Sequence, residues 1–110
     1  MLTLAEALPA FVAEVEASIS SEGRGELALQ LAQAIIERCT YEPEDDAAYI
    51  YLIAPSNARP ACASPPVAET LLFYSTHGYN VDLDHEGNLF GIELLDRPDV
   101  VRMLRVANAL

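Results

Sequence analysis

Lysine and tryptophan are absent from this chain of 110 residues, and histidine and cysteine occur only twice each. Six arginines stand against 17 carboxylates, which gives a net charge of −11. Without lysine the chain cannot form a Schiff base, attach pyridoxal phosphate or build a phosphate loop that ends in lysine. The negative charge argues against nucleic acid as a partner, since basic residues that neutralise phosphates supply most non-specific affinity. A basic protein is a better match.

Long apolar runs are also missing from the sequence. No stretch reaches the roughly 18 apolar residues that read as a transmembrane helix, so no membrane association is expected. Residues 1–20 carry three glutamates and no cation, unlike the positive start of a secretory signal, and this predicts a cytoplasmic protein. Cys39 and Cys62 belong to no C-x-x-C motif, which favours reduced thiols over a zinc site or a redox pair.

The first third of the chain has the pattern of two helices. Residues 3–21 open with Thr3 and Glu6 in the spacing of a capping box and continue with apolar residues three and four positions apart. Residues 26–38 repeat that period in a composition rich in alanine, leucine and glutamine. The short linker between the two segments predicts an antiparallel helical hairpin over residues 1–40.

The middle of the chain has the pattern of β-structure. Residues 49–53 are aromatic and β-branched and predict a strand, and residues 67–74 predict another. Between them, residues 55–66 carry four prolines and predict a loop. The clearest signal covers residues 79–95, where two alternating segments flank a turn with Gly87 at the position that needs a positive φ, which indicates a β-hairpin.

The end of the chain predicts a last helix over residues 97–110. Asp96 is expected to be its N-cap, and Pro98 is suited to the first turn. The whole pattern predicts an α+β fold: an N-terminal helical hairpin, a small antiparallel sheet and a short C-terminal helix. With 52% apolar residues, the chain has enough material for the core of a single domain over residues 1–110.

Two blocks of sequence in the middle of the chain carry a resemblance to a known family. They read YEPEDDAAYIYL at residues 41–52 and VDLDHEGNLFGIELLD at residues 81–96. The region 41–96 resembles small, mostly prokaryotic domains of unknown function with the pattern YDxxxDALYIxL, then LDxDxxGxxxGIEILD. Glu42 replaces the usual aspartate, and residues 1–40 have no counterpart in the family. The resemblance implies a compact antiparallel sheet with a helix and assigns no catalytic residue.

Three carboxylates of the predicted hairpin have the spacing of calcium ligands. Asp82, Asp84 and Glu93 occupy positions one, three and twelve of an EF-hand loop. An EF-hand loop lies between helices, whereas both flanks here alternate with period two. We therefore interpret these side chains as solvated residues of a hairpin. A weaker surface cation site formed by the three on one sheet face is the alternative.

Catalytic motifs are sparse. The sequence contains no G-x-S-x-G elbow and no H-E-x-x-H motif. His85 is placed at the hairpin tip, where no third group would orient it as a base. His77 is the better candidate, with Asp82 or Cys62 as its neighbour in a site below the proline loop. The sequence favours a protein that is not an enzyme and that needs no cofactor.

The strand at residues 49–53 has apolar character on both faces, because Tyr49 and Tyr51 point to one side and Ile50 and Leu52 to the other. One face suits the helical hairpin, and a second copy of the chain is the simplest cover for the other. The three arginines near the C-terminus are expected to pair with carboxylates of the same chain or of that copy. The leading hypothesis is an acidic, non-enzymatic interaction or regulatory module that forms a homodimer. The alternative is a protein that binds a small molecule or a divalent cation through the acidic hairpin face.

Overall fold

A computed structural model describes residues 1–54 and 67–110, so the predicted proline loop at residues 55–66 lies outside the described residues. The α+β prediction is confirmed. The helices are α1 Leu4–Ala7, α2 Pro9–Ser21, α3 Gly25–Gln33, α4 Tyr74–His77 and α5 Pro98–Val106. The strands are β1 Ile35–Glu42, β2 Ala47–Ile53, β3 Glu69–Leu72, β4 Tyr79–Leu83 and β5 Leu89–Leu95.

The five strands form one antiparallel sheet in the order β1-β2-β5-β4-β3. β4 and β5 are the hairpin predicted for residues 79–95, and its turn is built as the sequence suggests. The carboxylate of Asp84 accepts hydrogen bonds from the backbone N–H groups of Glu86 and Asn88, and Gly87 has a φ of +79°. Hairpin pairing leaves β1 and β3 as the two edges of the sheet.

The hydrophobic core lies between one face of the sheet and the helices. Alternate residues of the central strands, such as Ile50, Val81 and Ile92, are fully buried. They form one cluster with apolar side chains of α1, α2, α3 and α5, among them Val15 and Leu31. The helices therefore cover a single face, and burial of this apolar area is the main driving force for the fold.

The helix predicted for residues 3–21 is two helices. The capping box at its start is present, with Thr3 and Glu6 each bonded to the backbone of the other. α1 ends after one turn, because Leu8 precedes a proline and has a φ of −136° and a ψ of 60°. Pro9 then starts α2, since proline disfavours helical conformation in the residue before it and is tolerated in the first turn.

The second helix is shorter than the predicted span of residues 26–38. α3 ends at Gln33, Ala34 is extended with a ψ of 142°, and β1 begins at Ile35. Ile35 and Ile36 pair with the end of β2, and the Ile36 N–H donates to the Leu2 carbonyl at 2.9 Å. Two consecutive β-branched residues with partners on both sides favour a strand over another helical turn. The predicted helical segment 1–40 thus includes most of an edge strand.

Two further boundaries differ from the predictions. The strand predicted for residues 67–74 is limited to β3, and the chain then forms the single turn of α4. Asp96 does not cap the last helix, because Arg97 occupies that position and Asp96 adopts a left-handed φ of +58°. The last helix itself is confirmed as α5, with Pro98 in its first turn.

Candidate interaction surface

The candidate surface is the face of the sheet that points away from the helices, here called the outer face. The core helices α1, α2, α3 and α5 all pack on the opposite face. Strand register and alternation place these residues on the outer face: Arg38, Thr40, Glu42, Tyr49, Tyr51, Thr70, Asn80, Asp82, Gly91 and Glu93. Ring contacts with Tyr49 and Tyr51 place Phe90 on the same face. The prediction that Tyr49 and Tyr51 share a face opposite Ile50 and Leu52 agrees with this register.

Three aromatic rings cluster at the centre of this face, and we call them the outer aromatic cluster: Tyr49, Tyr51 and Phe90. The ring centroids of Tyr49 and Tyr51 lie 4.5 Å apart, and the Tyr51 and Phe90 centroids lie 6.0 Å apart. The guanidinium of Arg38 lies 3.8 Å from the centroid of the Tyr51 ring. Such contacts between aromatic rings and with a cation hold the side chains in a fixed arrangement.

Phe90 reaches the outer face because of an irregularity in β5. Asp82 pairs with Gly91, whereas the next residue of β4, Leu83, pairs with Leu89. Phe90 is therefore the extra residue of a β-bulge, which turns its side chain away from the core. The bulge places an aromatic ring where strict alternation predicts an inward side chain.

A buried carboxylate lies beside the aromatic cluster. Asp82 is only 9% exposed, and its two carboxylate oxygens accept hydrogen bonds of 2.6 Å from the hydroxyls of Tyr49 and Thr70. Burial raises the pKa of the Tyr49 phenol, and the bond to Asp82 raises it further. The expectation that the hairpin carboxylates are solvated is wrong for Asp82, because hydroxyls from two other strands replace water around it.

A second pair of polar residues continues this arrangement along the sheet. The side-chain amide of Asn80 donates to Glu93 at 3.1 Å, and its oxygen accepts the backbone N–H of Phe73 at 3.2 Å. Asn80 is 6% exposed, so both bonds are largely shielded from water. Asn80 and Asp82 thus connect the outer face to β3 and to the segment that follows it.

The three carboxylates of the predicted cation site do not share one location. Asp82 and Glu93 lie on the outer face, on adjacent strands. Asp84 follows β4, and its carboxylate accepts backbone N–H groups in the hairpin turn. Within residues 1–54 and 67–110, no three His, Cys, Asp or Glu residues are grouped so that they could hold a metal ion.

The candidate catalytic residues are separated as well. The His77 ring packs near Phe73 and Tyr79, with Nδ1 2.7 Å from the Thr76 hydroxyl. Tyr79 belongs to the core, whereas Asp82 lies on the outer face and is bonded to other residues. Cys62, the other proposed neighbour of His77, lies outside the described residues.

Cys39, the cysteine within the described residues, is not an activated nucleophile. Burial raises the pKa of the Cys39 thiol to about 11, so the thiol stays protonated at neutral pH and is a poor nucleophile. His85 is exposed in the hairpin turn, as predicted.

An open cleft of about 610 Å³ lies beside α4 and is lined in part by His77 and Arg97. The Arg97 guanidinium donates to both carboxylate oxygens of Glu14, at 2.8 and 3.0 Å, to the Asp99 carboxylate and to the His77 carbonyl. These bonds raise the already high pKa of Arg97 and lower the pKa of Asp99. Arg97 therefore pairs with carboxylates of its own chain, one of the two arrangements expected for the C-terminal arginines. Its role here is to join α2, α4 and α5, which sequence spacing does not reveal.

A family model described as a protein of unknown function (DUF2283) matches residues 38–96. The chain belongs to this family. The match confirms the resemblance found at residues 41–96 and extends it into β1. The DUF2283 region contains strands β2 to β5 and residues 38–42 of β1, so it includes all the outer-face residues named above.

The helices α1, α2, α3 and α5 lie outside the DUF2283 match, and they supply the cover for the inner face of the sheet. Comparisons with curated proteins and with solved structures gave no match. None of the helices in the described ranges has the length and apolar character needed to cross a membrane.

Proposed function

We propose that this protein is a non-enzymatic interaction module that associates with a second copy of itself through the β1–β2 side of its sheet. The observation that carries the proposal is the stacking of Arg38 on Tyr51, the ring of the outer aromatic cluster that lies next to the sheet edge. Aromatic residues and arginine are enriched in the centres of protein interfaces, where they contribute most of the binding energy.

The polar groups around the cluster suit a binding surface better than a reaction centre. The carboxylate of Asp82 is occupied by two hydroxyl donors, and Glu93 accepts the amide of Asn80. These bonds fix the side chains of the outer face and leave the face with one shape. A preorganised surface loses less conformational entropy when a partner binds.

An acidic turn next to the same strands supports a second class of partner. The connection between β1 and β2 runs through Glu44 and Asp45, both exposed, and follows the exposed Glu42. The whole chain has a net charge of −11, and this acidic turn attracts a positively charged protein surface and repels nucleic acid. We therefore include a basic protein among the partners of the module.

The proposal is tested by the mass of the protein in solution. Analytical ultracentrifugation from low micromolar to several hundred micromolar protein is expected to show a monomer–dimer equilibrium. Tyr51→Ala removes the ring that holds the Arg38 guanidinium beside the sheet edge and is expected to weaken the dimer about tenfold. Tyr74→Ala is the matched control, because Tyr74 is 54% exposed on α4, away from this surface. A monomer at every concentration overturns the proposal.

A further inference from the structure

Among the described residues, β1 is an edge strand whose beginning has backbone neighbours on both sides and whose remainder is open on one side. Thr3 forms a bridge with Ile35, and the carbonyl of Leu2 accepts the N–H of Ile36, so the first two residues have backbone neighbours on both sides. From residue 38 to residue 42, β1 pairs with β2 alone among the strands of the described chain. An open edge presents unpaired N–H and C=O groups that can pair with another strand.

We propose that residues 38–42 of β1 pair antiparallel with the same residues of a second copy, about a two-fold axis at Thr40. The inference rests on the self-association proposed above and specifies its strand and its register. Two five-stranded sheets then form one continuous sheet, with the outer faces of both copies on the same side.

The charges of β1 select this register. With the axis at Thr40, Arg38 of each copy lies directly opposite Glu42 of the other, and both side chains are on the outer face. Cys39 lies opposite Tyr41 on the inner face. The dimer therefore contains two cross-strand pairs of opposite charge and no pair of like charge, which is the favourable arrangement in a sheet.

Neighbouring registers lose this complementarity. An axis at Cys39 or at Tyr41 moves Glu42 away from Arg38. A shift of the pairing by a single residue would place outer-face side chains opposite inner-face ones. Pro43 follows directly and has no backbone N–H, which limits the pairing to β1 itself.

Both charged residues are available for these pairs. Arg38 and Glu42 are exposed, and neither takes part in a salt bridge with another described residue. Stacking on Tyr51 fixes the Arg38 guanidinium on the outer face. The other edge is less suitable, because β3 has four residues and its charged residue, Glu69, already binds Arg24 at 2.7 Å.

Charge reversal tests the register. Arg38→Glu alone and Glu42→Arg alone each create two like-charge pairs in the dimer, and each is expected to raise the dimer dissociation constant about tenfold. The double variant Arg38→Glu/Glu42→Arg restores both pairs and is expected to return to about the wild-type value. Sedimentation equilibrium measures all four proteins, and circular dichroism confirms that each is folded.

The Glu42→Arg variant separates register from overall charge. It makes the net charge less negative, so general repulsion between copies predicts a tighter dimer, whereas the proposed register predicts a weaker one. Arg102→Glu and Glu22→Arg change the charge equally at exposed positions outside β1 and serve as controls. A wild-type dimer that neither single variant weakens overturns the register and leaves the proposed function intact. A wild-type protein that is monomeric throughout overturns both.

A crosslink gives an independent reading of the axis. In a chain with Cys39→Ala and Cys62→Ala, Thr40→Cys places two thiols opposite each other, at a Cα separation that a disulfide spans. Oxidised glutathione is expected to convert this variant to a covalent dimer. Glu42→Cys in the same background is the control, since its two thiols would lie about 13 Å apart along the strands. Equal crosslinking of both variants contradicts an axis at Thr40.

Discussion

The ring of Tyr49 lies directly on the backbone of Gly91, on the adjacent strand. A Cβ atom at position 91 would be 2.5 Å from Cε2 of Tyr49 and 2.6 Å from its hydroxyl oxygen. Because the hydroxyl is bonded to Asp82 and the ring is held by Tyr51 and Phe90, the side chain has little room to move. The glycine is therefore what allows the outer aromatic cluster to pack against the sheet.

Gly91→Ala is expected to lower the free energy of unfolding by about 1–3 kcal/mol, the usual cost of forcing an extra methyl group into a packed site. Urea denaturation measures the change. Gly25→Ala is the control, since a Cβ atom there meets no other atom within 4 Å and alanine favours the helix α3. Equal stability of Gly91→Ala and the wild type would contradict the close contact with Tyr49.

Tyr49→Phe is expected to lower the free energy of unfolding by about 2 kcal/mol at neutral pH, because it removes one of two hydrogen bonds to the buried carboxylate of Asp82. Tyr74→Phe, at an exposed position, is the control and is expected to have no effect on stability.

Tyr49→Phe should also change how the stability depends on pH in the alkaline range. The folded pKa of Tyr49 is raised above its unfolded value of about 10, so its stabilising contribution is lost as the pH rises above about 10. The free energy of unfolding, measured on both sides of that pH, should fall less steeply with rising pH for Tyr49→Phe than for the wild type. An equal fall in both proteins would argue against the bond.

Arg97→Ala is expected to destabilise the fold by about 1–3 kcal/mol, because the guanidinium bonds Glu14, Asp99 and the His77 carbonyl together. Arg102→Ala, exposed on the same helix, should change stability by less than about 0.5 kcal/mol. The pKa of Asp99 is lowered in the folded protein, so its contribution is present above about pH 4 and is lost as the pH falls. The difference in the free energy of unfolding between the wild type and Arg97→Ala should therefore become smaller below about pH 4. A difference that does not change with pH would rule out the pairing with carboxylates as its source.

Calcium at millimolar concentration is expected to leave the melting temperature within about 1 °C of that measured in EDTA. Asp84 is occupied by backbone N–H groups of the turn, and Asp82 by two hydroxyls. A ligand that binds only the folded state at 100 times its dissociation constant would add about 2.7 kcal/mol of stability, which differential scanning fluorimetry detects readily. A clear rise that Glu93→Gln abolishes would support the alternative of a cation site on the outer face.

Local sequence determined the elements whose signals are complete within a few residues. The capping box at Thr3 and Glu6, the turn at Gly87 and the proline at the start of α5 all have the predicted geometry. Each depends on contacts between neighbours in the chain or on one residue's own φ preference, so composition and spacing suffice to predict it. The two alternating segments on either side of this turn likewise predicted the hairpin that the sheet contains.

The tertiary structure decided where the second helix stops and how the outer face is built. Ile35 and Ile36 fit a helical period equally well, and they form a strand because β2 and Leu2 supply backbone partners from distant positions. Asp82 is buried because hydroxyls 33 and 12 positions away meet it across the sheet. These outcomes depend on strand order, register and a bulge at Phe90, which arise from contacts far apart in the chain, and a local pattern contains no information about which distant groups will be opposite each other.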